Sequence, residues 1–222
     1  MTQGQTETLE GYVKSLTTWN AKHNLVSRAD LQNLWRKHIL HSVAPLIQFS
    51  LPSQLRVLDI GSGGGLPGIP LAIMRPDFQV TLVDSIRKKT DSLRAIVRET
   101  NLENVTVVND RAENLARTPR FLSAFDVTMA RAVAPLADLI KWSTPLLKKR
   151  DPKREQLLTN AVGPKRELVP PLVLALKGGD LSREIAEAAR RFRSLKCEEF
   201  DLGLEEADET GLADKKVVVV QF

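Results

Sequence analysis

Arg56-Val57-Leu58-Asp59-Ile60-Gly61-Ser62-Gly63-Gly64-Gly65-Leu66-Pro67-Gly68 carries the strongest structural signal in the chain. Val57, Leu58 and Ile60 form a short apolar run that reads as a buried strand. A glycine cluster ends it, and Pro67 presets φ for the first turn of a helix. A strand, a glycine turn and a helix start together make a binding turn. The missing Cβ atoms let a ligand approach the backbone, and the helix start offers unpaired N–H groups.

Two ligand classes compete for such a turn. Gly63-x-Gly65-x-x-Gly68 matches the dinucleotide fingerprint GxGxxG literally, which alone is weak. Asp59, two residues before Gly61, sits badly beside a pyrophosphate but suits the α-ammonium group of S-adenosylmethionine, directly or through water. Asp84 ends the next apolar run, Val80-Thr81-Leu82-Val83, where an acid can hold both ribose hydroxyls of an adenosine. Two acids at successive strand ends favour the sulfonium cofactor over a nicotinamide. Ordinary capping aspartates around a tight turn are the plain alternative.

Outward from this centre, strands and helices alternate, which implies parallel βαβ units. Strands are expected at 56–60, 79–83, 105–109, 125–130, 172–177, 195–202 and 215–222, with helices at 67–75, 86–100, 111–117, 136–149 and 180–193. The last two strands lack a helix between them and read as a terminal hairpin with one strand inserted antiparallel. Ahead of the turn, 5–21 and 30–49 read as helices. In the second, Leu31, Leu34, Trp35, His38, Ile39 and Ser42 share one face at α-helical spacing, and Pro45 is expected to interrupt it. Residues 1–50 thus form a helical cap, and 51–222 form the α/β domain. Residues 148–170 break the pattern, with seven basic residues against three acidic ones, and read as a basic surface insertion.

The chain has 222 residues, 42% hydrophobic and 27% charged, as expected of a soluble globular protein. No apolar run approaches the roughly 20 residues that span a bilayer, and the N-terminus lacks a signal-peptide pattern, so the cytoplasm is expected. The net charge of +5 suits a polyanionic partner. Cys197 is the single cysteine, which excludes an internal disulfide and a cysteine-based zinc site; it reads as a small core residue. His38 and His41 lie one helical turn apart without a third ligand at matching spacing, so no metal is expected.

Several pieces in one order resemble a known family. They are His23-Asn24-Leu25-x-Ser27, His38-Ile39-Leu40-x-Ser42, Leu58 through Pro70, Leu82-Val83-Asp84-Ser85-x-x-Lys88, Ala130-Arg131-Ala132 and Ala175-Leu176-Lys177-Gly178. Over about residues 10–220 the chain resembles the RsmG (GidB) family, which methylates N7 of one guanosine in the 530 loop of 16S rRNA, using S-adenosylmethionine. The resemblance implies a Rossmann-like class I methyltransferase fold, with a seven-stranded, mostly parallel sheet. It also implies cofactor contacts at Gly61, Leu66, Asp84, Ala112, Glu113 and Arg131. Its expected partner is 16S rRNA or a small-subunit precursor, bound by a monomer. The family usually has an acid where this chain has His41.

Guanine N7 carries a lone pair and no proton, so its attack on a sulfonium methyl needs no general base. Alignment is what the site must supply. Arg131 and Lys177 end strands at the carboxyl edge, where open α/β sheets bind ligands, and are the candidate catalytic pair. Arg131 would hold the cofactor carboxylate or a phosphate; Lys177 would hold RNA backbone or guanine O6. N7 lies in the deep groove of an A-form helix, so the target must be looped or splayed out. RNA contacts are expected from Lys22, His23, Asn24, Arg28, Arg36, Lys37, His38 and the 148–154 run, led by Lys148, Lys149 and Arg150. Trp35, Trp142 and Phe125 can stack on a base but are expected in the core. Two rivals remain: a nicotinamide-dependent oxidoreductase using the literal GxGxxG, and a non-catalytic RNA-binding module on a methyltransferase fold.

Overall fold

The computed structural model describes residues 1–27, 31, 33–150, 165–202 and 214–222. Its centre is a seven-stranded sheet built from β2 (Arg56–Ile60), β3 (Gln79–Asp84), β4 (Val105–Asn109), β5 (Val127–Arg131), β7 (Leu172–Gly178), β8 (Lys196–Asp201) and β9 (Lys215–Gln221). The strand order is β4-β3-β2-β5-β7-β9-β8. The first five run parallel, and β9 inserts antiparallel between β7 and β8. The chain leaves β2 in one direction to β3 and β4, then returns to β5 on the other side. That reversal makes the carboxyl ends of β2 and β5 the switch point, where open sheets bind ligands. Val57, Leu58, Ile60, Val80, Leu82 and Val83 are buried on both faces, as a parallel sheet covered by helices requires.

Helix α1 (Gln3–His23) starts at a reciprocal cap. Gln5 N donates to Thr2 Oγ1 at 3.3 Å, and Thr2 N donates to Gln5 Oε1 at 2.9 Å. It ends at Asn24 in the left-handed conformation. Its inner face packs on α3 (Gly68–Met74) and α4 (Arg87–Glu99), where Ser15 and Trp19 both donate to Glu99. Tyr12, fully buried, donates to the Gly64 carbonyl at 2.8 Å and so fastens this helix to the glycine turn.

The second helical stretch departs from expectation. Leu34–Leu40 is a π-helix, and α2 (His41–Gln48) follows it. In π winding, residues five apart stack instead of four. Leu34 and Ile39 are therefore both buried, and Trp35 turns out to solvent, 42% exposed, instead of joining the core. Pro45 lies inside α2, where it forfeits one ladder bond without ending the helix. The helix expected over 136–149 is α6 (Leu136–Ser143), which starts after Pro135 as expected but is stopped early by Pro145. The strand expected from 125 begins at Val127, and Phe125, deep in the core, forms an isolated bridge with Leu147.

The basic insertion is described only at its ends, and 151–164 lie outside the described residues. At the far end, β6 (Arg166–Glu167) pairs in parallel with β1 (Phe49–Ser50), and Leu168 is buried, so this part belongs to the packed body. At the near end, Lys148 pairs with the buried Asp126 at 3.0 Å. The remaining elements are α5 (Ala112–Leu115) and α7 (Ser182–Arg191). Among the described residues no helix is long and apolar enough to cross a membrane.

Candidate functional site

The glycine turn hangs from β3. Gly61 N and Ser62 N both donate to the Val83 carbonyl, at 2.8 and 3.0 Å. Gly61 adopts φ +68°, and a Cβ there would come within 2.6 Å of Val133 Cγ2. Glycine is therefore required on two counts, dihedral and space.

Both acids face this turn, in different ways. Asp84 Oδ2 accepts the Gly63 N–H at 3.0 Å, and its Oδ1 accepts the Ile86 N–H at 2.9 Å. Each oxygen keeps a second lone pair for a ligand hydroxyl. Asp59 has no exposed surface, and its Oδ2 accepts the Gly68 N–H at 2.9 Å, at the start of α3. Its Oδ1 has no hydrogen-bond partner among the described residues. Burial pushes the Asp59 pKa up to about 7, against the pull of Gly68, Ser62 and Arg131.

A cavity of about 390 Å³ opens over the carboxyl ends of β2, β3 and β4. Gly61, Asp84, Ala112 and Glu113 line it, together with Ile86, Lys89, Arg111, Ala132, Val133 and Trp142. The volume lies within the range of small-ligand sites. Leu66 is buried beneath the turn. Trp142, expected in the core, reaches this wall. Ile86, at 49% exposed, and Val133, at 38%, supply apolar surface at the rim. The donor set suits S-adenosylmethionine. The cavity has a paired-oxygen acid for a ribose and apolar surface for a flat base, and beneath the turn, outside the cavity lining, Asp59 keeps one unused oxygen whose charge suits an ammonium. A pyrophosphate at the same turn would face two carboxylates, and the Gly63 N–H it needs is already taken by Asp84.

A second cavity, about 490 Å³, lies beside the first at the ends of β5 and β7. Arg131, Lys177, His38, His41, Lys37 and Lys215 line it, with Asp214. Ala132 lines both cavities and holds a positive φ of +54°. Arg131 Nη2 lies 2.7 Å from His38 Nδ1. Arginine only donates, so His38 accepts at Nδ1 and is neutral in this contact. His41 is buried, and burial with the Arg131 and Lys215 charges lowers its pKa to about 3. It is a neutral imidazole in a cationic wall. Lys177 Nζ is tied to the Ala134 carbonyl at 2.7 Å and to Glu184 Oε1 at 2.6 Å. Among the described residues no group of three histidines, cysteines or acids could hold a metal ion.

The expected RNA-contacting residues separate. His38 and Lys37 join the second cavity. His23, hydrogen-bonded to Ser92, and Asn24 stand at the end of α1, and the Leu25 and Val26 that follow pack against the glycine turn. Lys148 sits at the opposite edge of the sheet, because its partner Asp126 also accepts the N–H of Arg56, the first residue of β2. Arg150 lines a small recess there with Pro171, Lys196 and Phe222, and Lys149, the residue before it, is exposed. Five strand residues, about 16 Å, separate that edge from the cavities. Arg28 lies outside the described residues. The sequence singled out Ala132 only within the Ala130-Arg131-Ala132 motif, and Ile86, Arg111, Val133 and Glu184 not at all. Places just past strand ends were the available signal for Ile86, Arg111 and Val133, and none pointed to Glu184.

The family model described as GidB, rRNA small subunit methyltransferase G, matches residues 5–153. A Ribosomal RNA small subunit methyltransferase G of Bacteroides fragilis is 38% identical, covering 99% of this chain and 94% of the relative. Another, from Carboxydothermus hydrogenoformans, is 45% identical over 139 residues, 63% of this chain and 59% of the relative. Among solved structures, an O-methyltransferase from Bacillus cereus in complex with SAH aligns at TM-score 0.57 and 15% identity, covering 95% and 90% of the two chains. Aeropyrum pernix fibrillarin with natively bound S-adenosyl-L-methionine aligns at TM-score 0.53 and 16% identity, over 80% and 73%. At those identities the structural likeness establishes the fold, a class I methyltransferase sheet.

Proposed function

Because the chain belongs to the GidB family, rRNA small subunit methyltransferase G, we propose that it methylates N7 of a guanine in the 530 loop of 16S rRNA. It is an S-adenosylmethionine-dependent methyltransferase. The observation that carries the finer reading is the pair of cavities meeting at Ala132, one with the acids of a sulfonium-nucleoside site and the other walled by cations.

When bound, S-adenosylmethionine supplies an electrophilic methyl group. The chain's residues hold and align. Asp84, fixed by two backbone N–H groups, takes the ribose hydroxyls. Ala112 and Glu113 border the base, with Ile86 and Val133 on its faces. Asp59, through Oδ1, favours the ammonium, and Gly61, Gly63 and Leu66 shape the turn above it. Arg131, hydrogen-bonded to His38, lines the second cavity next to the shared Ala132, where it would secure the methionine carboxylate or an RNA phosphate. The target guanine enters the second cavity with N7 toward Ala132. No proton leaves N7, so no base is required, and the rate comes from an in-line approach at about 3–3.5 Å.

The rRNA or its precursor particle approaches the carboxyl edge, in the cytoplasm, and one chain suffices for both cavities. Mapping 7-methylguanosine in 16S rRNA from cells with and without this protein tests the proposal. Loss of one such residue in the 530 loop is expected. An unchanged methylation map would overturn it.

A further inference from the structure

Beside the second cavity one carboxylate oxygen joins three elements. Lys177 ends β7, and Glu184 lies in the first turn of α7. Glu184 Oε1 pairs with Lys177 Nζ at 2.6 Å and also accepts the N–H of Leu136, the first residue of α6. The N–H groups of a helix's first turn have no partner within the helix, so this acceptor caps α6 as an anion at its positive end. Lys177 completes the clasp by donating to the Ala134 carbonyl. Its side chain is only 13% exposed.

The clasp matters because of what it fixes. Residues 132–135 run from the end of β5 to the start of α6. Ala132 forms the seam between the two cavities, and Val133 abuts Gly61 of the binding turn. Upstream the segment is anchored by the pairing of Arg131 with Leu176. Downstream it is anchored by Glu184 and Lys177.

We propose that Glu184 is a positioning residue for methyl transfer: it locks Lys177 and the α6 start so that the 132–135 segment keeps the acceptor cavity in line with the glycine turn. The inference rests on the methyltransferase reading above. Lys177 then serves as a staple of the segment, with two of its three donors committed within the protein, instead of as a hook for RNA phosphate. Displacing the seam by about 1 Å would cost up to about 100-fold in rate while leaving both ligands able to bind.

The test uses the full chain, S-adenosylmethionine and small ribosomal subunits lacking the modification. Glu184→Ala and Lys177→Met are each expected to cut the single-turnover rate about tenfold or more, with SAH and rRNA affinities within about threefold of wild type. Glu184→Gln keeps an acceptor oxygen and should recover most of the rate. The double variant, which leaves no unpaired buried charge, should be no slower than the slower single, because both remove one clasp. Losses that multiply in the double variant would overturn the proposal. So would an unchanged rate in Glu184→Ala, or a Lys177→Met variant whose main defect is rRNA affinity. If wild type itself transfers no methyl group, the function fails, and the clasp is judged by amide exchange at Leu136. Faster exchange in Glu184→Ala supports the clasp, and unchanged exchange removes it.

Discussion

Asp59 carries an electrostatic cost in the ligand-free fold. Its carboxyl is fully buried, and one oxygen goes without a partner among the described residues. Burial raises its pKa from 3.8 to about 7, so the folded state holds a proton that the unfolded state releases. The resulting stability is full below about pH 4 and is lost as pH rises through about 7. A cation beside Oδ1 favours the ionised form, so cofactor affinity should rise between about pH 5.5 and 7.5. Isothermal titration across that range measures it, and Asp59→Asn should bind more weakly with a flattened profile. Gly61→Ala is the steric counterpart. Its Cβ would overlap Val133 and its dihedral disfavours a side chain, so the same titration should show affinity down tenfold or more, a loss of about 1.4 kcal/mol.

The π-helix, the glycine turn and α1 act as units. Tyr12 joins two of them, and Tyr12→Phe would leave the buried Gly64 carbonyl unsatisfied. A loss of about 1–3 kcal/mol in urea unfolding is expected. The elements around the turn were legible because their signals are short-range. Val57-Leu58 and Val80 through Val83 announce buried strands, and an acid at each strand end announces the ligand. The antiparallel β9 was legible from the missing helix before it and from its unbroken valines. The π winding was not, since Leu34, Trp35, His38 and Ile39 fit an α-helical face equally well and only tertiary packing turns Trp35 outward. The Glu184 clasp and the pairing of β1 with β6 lie beyond such reading too, as each joins residues that the sequence keeps apart and the fold brings together.

Across the whole molecule, charge divides by sheet edge. Arg87, Lys88 and Arg111 stand exposed at the carboxyl edge near the cavities, and Lys149 and Arg150 at the other, beside the half-buried Lys148. Lys88→Glu with Arg111→Glu should weaken rRNA binding more than Lys149→Glu with Arg150→Glu, and should reduce the salt slope by about 0.7–0.9 per lost phosphate contact. Filter binding over a salt series reads both. Acid should loosen the same edge. His41 is held neutral with a pKa of about 3 against an ordinary 6.5, so its contribution is complete above about pH 6.5 and lost as pH falls toward 3, by up to about 1.4 kcal/mol per unit. Thermal unfolding of His41→Asn should show a shallower acid decline. Ala132 is a party wall between two rooms, and neither tenant can move in unheard by the other. Whatever factor an occupied donor room applies to the grip on RNA, the RNA must return on the donor, so a spent cofactor and a finished transcript strengthen or weaken each other's equilibrium hold by one shared factor.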